Sequence, residues 1–166
     1  VPEIAIIEAK KEVIKMSHLI DEMLNLFKKT FRKEKNISDS IVLGRKMEIV
    51  TDQMQEQISS YLAECTKHEL SYRSSKEAAT MVRLTNELES IGDSCLNLFL
   101  QTEKINDKLV FTDKMNDEIL HLYSKVIKFV EWNNSFIENN IRSMNSDDLK
   151  KSIKFENEID DIRNKF

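Results

Sequence analysis

The sequence predicts an all-α chain, an antiparallel bundle of five helices. Two observations carry this. Only two glycines and one proline occur in 166 residues, too few for the tight turns of an all-β fold. Apolar residues recur at helical spacing over stretches of about 30 residues, separated by short polar segments. Hydrophobic residues make up 40% and charged residues 33% of the chain, which supplies a core and excludes a disordered polymer.

The first helix is expected from about Glu3 to Lys33, with Ile6, Val13, Ile20, Leu24 and Phe31 on its apolar stripe. The polar stretch Lys35-Asn36-Ile37-Ser38 ends it, and Ser38 or Asp39 can cap the second helix. That helix runs to about Glu69 on a stripe of Met47, Val50, Met54, Ile58, Tyr61, Leu62 and Cys65. The third begins near Ser74, where Ser74 and Glu77 stand at capping-box spacing, and continues through Val82, Leu88, Ile91, Cys95 and Phe99 to about Ile105. Thr112 or Asp113 caps the fourth, whose apolar face is Met115, Leu122, Val126, Phe129, Val130 and Ile137. Met144-Asn145-Ser146 breaks it, and Ser146 can cap a fifth helix carrying Phe155, Ile159, Ile162 and Phe166. Long helices joined by short loops place neighbours antiparallel.

A weak internal repeat suggests how the helices are grouped. Lys46-Met47-Glu48 with Asp52, and Lys154-Phe155-Glu156 with Asp160, share the pattern Lys-apolar-Glu-x-x-x-Asp at an offset of 108 residues. That offset exceeds the period of small solenoid repeats. It suits a complete three-helix unit over residues 1–106 and a second unit over 107–166 that lacks its third helix. Such a gap would leave an apolar groove, so self-association into a homo-oligomer is expected. Trp132 and Phe136 sit toward the edge of the fourth stripe and are candidates for covering a partner surface.

Three Glu-x-x-x-Asp pairs stand out: Glu48/Asp52, Glu89/Asp93 and Glu156/Asp160. Residues four apart share a helical face. Two like charges there cost a helix about 0.2–0.5 kcal/mol unless something compensates them. A divalent or trivalent cation would compensate, because hard metals favour carboxylate oxygens. The wheel positions place each Glu roughly 90–110° and each Asp roughly 130–150° from the centre of its apolar stripe, in the same sense in all three helices. The pairs therefore belong to the flank of the bundle, where adjacent helices can merge them into one acidic cluster. Most such pairs on acidic helices are simply solvated. Gly92 lies inside the Glu89–Asp93 turn, at a helix-interior cost of about 1 kcal/mol against alanine. It implies close approach of another helix or of a ligand.

Other chemistries fit less well. Acidic and basic residues alternate at a net charge of −4, and no basic stripe suggests nucleic-acid binding. Cys65 and Cys95 lack CxxC spacing and suit a reducing compartment as small core residues. No apolar run approaches the roughly 20 residues of a membrane span. No signal peptide opens the chain, and Val1-Pro2-Glu3-Ile4 reads like the interior of a longer protein. Glu118 and His121 have the Glu-x-x-His spacing of di-iron carboxylate bundles. Those sites need two inward-facing copies, and His121 falls on an outward face. His18 and His68 are isolated, and no phosphate loop or nucleophile motif occurs, so an enzyme is not expected.

The stretch Asn86-Glu87-Leu88-Glu89-Ser90-Ile91-Gly92-Asp93-Ser94-Cys95-Leu96-Asn97 resembles the third-helix motif of the PhoU family, Asp-Leu-Glu-Arg-Ile-Gly-Asp-His-Ala followed by Asn. Leu88, Glu89, Ile91, Gly92, Asp93 and Asn97 match it. Ser90 stands where Arg is usual and Ser94 where His is usual, which removes a cation and a possible ligand. The acidic second-helix motif of that family is matched by Glu48/Asp52 and again by Glu156/Asp160. The resemblance implies repeated three-helix bundles that regulate phosphate uptake and signalling. It also implies metal binding, with iron, zinc, manganese, magnesium or calcium as candidates, through Glu48, Asp52, Glu89, Asp93, Glu156 and Asp160. The form Glu-Leu-Glu-Ser-Ile-Gly-Asp-Ser-Cys looks most like the PhoU-like domain that follows the membrane part of some bacterial sodium/phosphate cotransporters, as does the opening Pro2-Glu3-Ile4-Ala5-Ile6-Ile7. The implied partner is then a membrane transporter domain, and the implied location is the cytoplasm, tethered at the inner face of the plasma membrane. A free-standing adaptor acting on a phosphate transporter or a histidine kinase is the alternative, and a di-iron carboxylate bundle a further one.

Overall fold

Asparagine, more than serine, sets the helix starts. The computed structural model describes residues 2–106, 111–141 and 143–165. Five helices form: α1 Pro2–Phe31, α2 Ile37–Cys65, α3 Tyr72–Asn106, α4 Asp113–Glu138 and α5 Ser146–Arg163. No strand occurs among the described residues. The expected unit boundary at residue 107 and the apolar position Phe166 lie outside them.

Asn36 caps α2, its side-chain oxygen accepting from the Ser38 and Asp39 amides at 2.9 and 3.2 Å. The expected caps Ser38 and Asp39 are instead first-turn residues. Asn145 likewise replaces Ser146 at α5, in a reciprocal box with Asp148: the Asp148 amide donates to Asn145 at 2.9 Å and the Asn145 amide to Asp148 at 3.0 Å. The Asn side chain reaches the free amides of the first turn as well as Ser does. Ser71 takes the role expected of Ser74, accepting from its amide at 3.1 Å. Thr112 caps α4 as expected, accepting from Met115 at 3.2 Å. α4 stops at Glu138, short of Met144, because Asn140 and Ile141 turn into the left-handed region at φ 58° and 55°.

The described chain divides into two compact units, Val1–Glu103 and Lys104–Phe166. In the first, α1 and α2 run antiparallel, with Thr30 and Ser40 hydroxyls 2.7 Å apart across their turn. α3 runs parallel to α1: Lys10 meets Glu77 at 3.0 Å near one end, and Phe27 meets Phe99 edge-on at 5.3 Å near the other. Val13, Met16, Ile20, Met23, Met81 and Phe99 are fully buried between the helices.

The buried stripe of α2 differs from the expected one. It holds Ser40, Ile41, Gly44, Thr51, Ile58, Leu62 and Cys65. Val50 and Tyr61, expected on the stripe, are exposed. The small residues Ser40, Gly44 and Thr51 let α2 approach its neighbours closely, which an apolar count overlooks. A β-carbon at Gly44 would sit 3.2 Å from the Phe99 ring.

In the second unit α4 and α5 pack through aromatic rings. Phe129 stacks on Phe155 at 5.2 Å and Trp132 lies against the same Phe155 ring at 5.6 Å, while within α4 Trp132 meets Phe136 edge-on at 4.9 Å. Lys151 lies over the Trp132 ring at 5.3 Å, and Lys125 pairs with Glu158 at 2.8 Å. Trp132 and Phe136 thus both make ring contacts within the chain, Phe136 being buried and Trp132 partly exposed. No residue of α5 is buried, and its Leu149 and Ile153 stay exposed.

Phe99 fills the space over Gly44 and against Phe27. Replacing it with alanine is expected to destabilise the first unit by about 3–5 kcal/mol, read by urea unfolding followed through helix circular dichroism. A loss below about 1 kcal/mol would contradict this packing.

Candidate metal centre

The α2–α3 seam carries a ladder of polar side chains. Glu48, Asp52 and Gln55 lie along one edge of α2, and Asp93, Glu89 and Asn86 along the facing edge of α3 in reverse order. The antiparallel register joins them. Gln55 donates its amide to Asn86 at 2.6 Å. One turn on, Glu89 feels both Asp93 and Asp52. Glu48 faces Asp93, and Asp52 and Asp93 both act on its carboxyl.

Glu48, Asp52 and Asp93 each direct a carboxylate oxygen into one small region, all within 4.8 Å of one another. Among the described residues this is the one group of three or more metal-ligating side chains so placed. Burial raises the Glu48 pKa above its ordinary value of 4.5, and Asp52 and Asp93 raise it further. Glu89 is raised in the same way, by burial first and then by Asp93 and Asp52. The cationic help is slight: Arg45 lowers Glu48 only as its smallest influence, and Glu89 has the Ser90 hydroxyl at 3.4 Å. Contrast Glu77, which Lys10 and Arg73 hold below 4.5. The seam is therefore a weakly compensated acidic site with an all-oxygen donor set, which suits a hard cation.

The helix backbones approach closely beside these carboxylates. At Gly92 a β-carbon would lie 3.1 Å from Thr51 Oγ1, 3.2 Å from Ile20 Cδ1 and 3.8 Å from Met23 Sδ. Thr51 cannot swing away without breaking its hydroxyl bond to the Glu48 carbonyl at 2.7 Å. Gly92 therefore answers to close approach of α1 and α2.

Four of the six expected ligands are brought together: Glu48, Asp52 and Asp93 directly, with Glu89 adjoining. Glu156 and Asp160 stand on α5 of the other unit, where Asp160 pairs with Arg163 at 3.0 Å. Glu48 is half-buried, nearer the core than its wheel position implied, because the true stripe centre on α2 lies at Gly44 and Thr51. Gln55 and Asn86 were not expected in the seam. Pairing the two helices in register, Glu48 against Asp93, would have found them. Glu118 and His121 line a separate cavity of about 540 Å³ with Lys114, Asp117, Ile162 and Lys165. Glu118 lies 3.8 Å from Lys114, and His121 is exposed.

A family model described as PhoU domain matches residues 13–101, a span that contains the whole α2–α3 seam. No curated protein and no solved structure matches the chain.

The raised carboxyls fix the sign of a pH effect. A folded-state pKa above 4.5 means that charging Glu48 or Glu89 costs the folded chain stability. The penalty is present at neutral pH and is relieved as pH falls through the raised values toward 4.5. Glu48→Gln is therefore expected to stabilise the metal-free chain at pH 7 by about 0.5 kcal/mol, with a smaller gain at pH 5. Urea melts in chelator at both pH values check this, and a destabilised variant at pH 7 would contradict it.

Proposed function

The chain belongs to the PhoU domain family, regulatory domains tied to phosphate transport, and on that premise we propose that it is the cytoplasmic regulatory domain of a sodium/phosphate cotransporter, governed by a metal ion bound at Glu48, Asp52 and Asp93. Glu89 completes the acidic face. The observation that carries the reading is the convergence of carboxylates from two helices with almost no compensating cation. Support for the transporter context comes from the sequence Glu87 to Cys95, which resembles the cotransporter form of the motif, and no helix among the described residues is long and apolar enough to cross a membrane. A transporter domain, in the same or another chain, is then the partner that receives the signal. A second copy of the chain completes the open α4–α5 pair, whose Leu149 and Ile153 stay exposed.

Three carboxylates supply charge neutralisation and oxygen ligands, and Asp52 and Asp93 come from different helices. A cation held there ties α2 to α3 and offsets the repulsion that both raised glutamates register. Iron, manganese, magnesium and calcium suit oxygen donors best, and zinc accepts them.

Metal that binds only the folded form stabilises it by mass action, about 2.7 kcal/mol at a concentration 100 times the dissociation constant. Divalent metal is expected to raise the melting temperature of the native chain, and Asp52→Asn combined with Asp93→Asn to abolish that rise. The double variant without metal should be at least as stable as the native chain without metal. The same metal-dependent shift in native and double variant would reduce these pairs to a solvated helix face.

A further inference from the structure

The metal reading leaves open what holds three like-charged groups together before any cation arrives. Most of the seam is anionic, and the Gln55–Asn86 bond lies beyond Asp52 and Glu89 on the ladder. Within the carboxylate layer the α3 backbone also comes close to a side chain of α2. Gly92 directly precedes the ligand Asp93, Thr51 directly precedes the ligand Asp52, and the two face each other across the seam so closely that a β-carbon at residue 92 would stand 3.1 Å from Thr51 Oγ1, tighter than an ordinary contact.

We propose that Gly92 and Thr51 form a spacer, a pair of positioning residues whose contact sets the α2–α3 distance at which Glu48, Asp52 and Asp93 converge on one cation. The inference rests on the metal reading and adds that the site is tuned by helix spacing as well as by its ligands. The contact is specific in its geometry. Of the three groups that a β-carbon at residue 92 would meet, the ends of the Ile20 and Met23 side chains can shift by rotation. Thr51 Oγ1, at 3.1 Å, is β-branched and tied to the Glu48 carbonyl. An added methyl is therefore accommodated by moving α3 away from α2, by a few tenths of an ångström. Metal–oxygen distances tolerate only about 0.2 Å of error, so such a move is felt at the site while the bundle stays folded. The helical glycine is also a poor helix former, so alanine at this position strengthens α3 locally as it loosens the metal site.

The test is titration of the whole chain with manganese(II), each variant first checked for folding by circular dichroism in chelator. Asp52→Asn is the ligand control. Gly92→Ala is expected to fold with a melting temperature close to native in chelator and to bind manganese about tenfold more weakly or worse, the scale of loss typical of residues that orient metal ligands. Adding Thr51→Ala removes the hydroxyl that the new methyl strikes, so Gly92→Ala with Thr51→Ala should recover most of the affinity. Thr51→Val approaches the same contact from α2 with a bulkier group and is expected to weaken binding even if Gly92→Ala folds poorly. Native-like affinity in Gly92→Ala or, should that variant not fold, in Thr51→Val would overturn the spacer. So would failure of the Thr51→Ala addition to restore affinity. If the native chain itself shows no saturable manganese binding, or Asp52→Asn binds as well as native, the metal reading fails and the spacer falls with it. Those two results separate the failure of the site from the failure of its spacing.

Discussion

At Gly92 the α3 backbone lies so close to α2 that a β-carbon would stand 3.1 Å from the Thr51 hydroxyl. Much of the first unit follows from that contact and its counterpart at Gly44, where the Phe99 ring occupies the space a side chain would need. Two glycines in the whole chain, and both are used to draw helices together. The apolar layers do the ordinary work of stabilising a bundle. The glycine contacts decide how near the flanks come, and on the α2–α3 flank stand Glu48, Asp52, Glu89 and Asp93. Close packing and charge repulsion therefore oppose each other at one place. Burial and neighbouring carboxylates raise both glutamates above their ordinary pKa, which is the electrostatic trace of that opposition.

The number and order of the helices were legible from the apolar spacing, because stripes of about 30 residues with few breakers admit little else. The helix ends were less so. Asn36 and Asn145 cap where serine or aspartate was expected, since capping depends on which side chain reaches the first free amides and several residue types do so equally. The buried face of α2 was displaced for a different reason. Counting apolar residues credits Val50 and Tyr61, which are exposed, and passes over Ser40, Gly44 and Thr51, which are buried because they are small. Two of those buried polar residues satisfy their hydroxyls on their own helix, Ser40 on the Asn36 carbonyl and Thr51 on the Glu48 carbonyl.

The same displacement bears on the candidate site. The spacing of the Glu-x-x-x-Asp pairs was visible in the sequence, and four of those six residues share one seam. The degree to which Glu48 is drawn toward the core was hidden by the misplaced stripe. The Gln55–Asn86 amide pair was hidden because it emerges only when two helices are set in antiparallel register. The α5 pair shows the limit of reasoning from a motif alone: Glu156 and Asp160 have the same spacing as Glu48 and Asp52, yet Asp160 is paired with Arg163. What distinguishes the α2 pair is a facing helix that supplies more acid and almost no base.

The central claim is that carboxylates from α2 and α3 together make one metal centre. Manganese(II) added to isotopically labelled protein tests it directly, because a bound paramagnetic ion broadens the resonances of nearby residues. The account predicts saturable broadening at low manganese, centred on Glu48, Asp52 and Asp93 and reaching Glu89, with Glu156 and Asp160 far less affected. Broadening spread evenly over the exposed acidic residues, or stronger on α5 than on the α2–α3 seam, would contradict it.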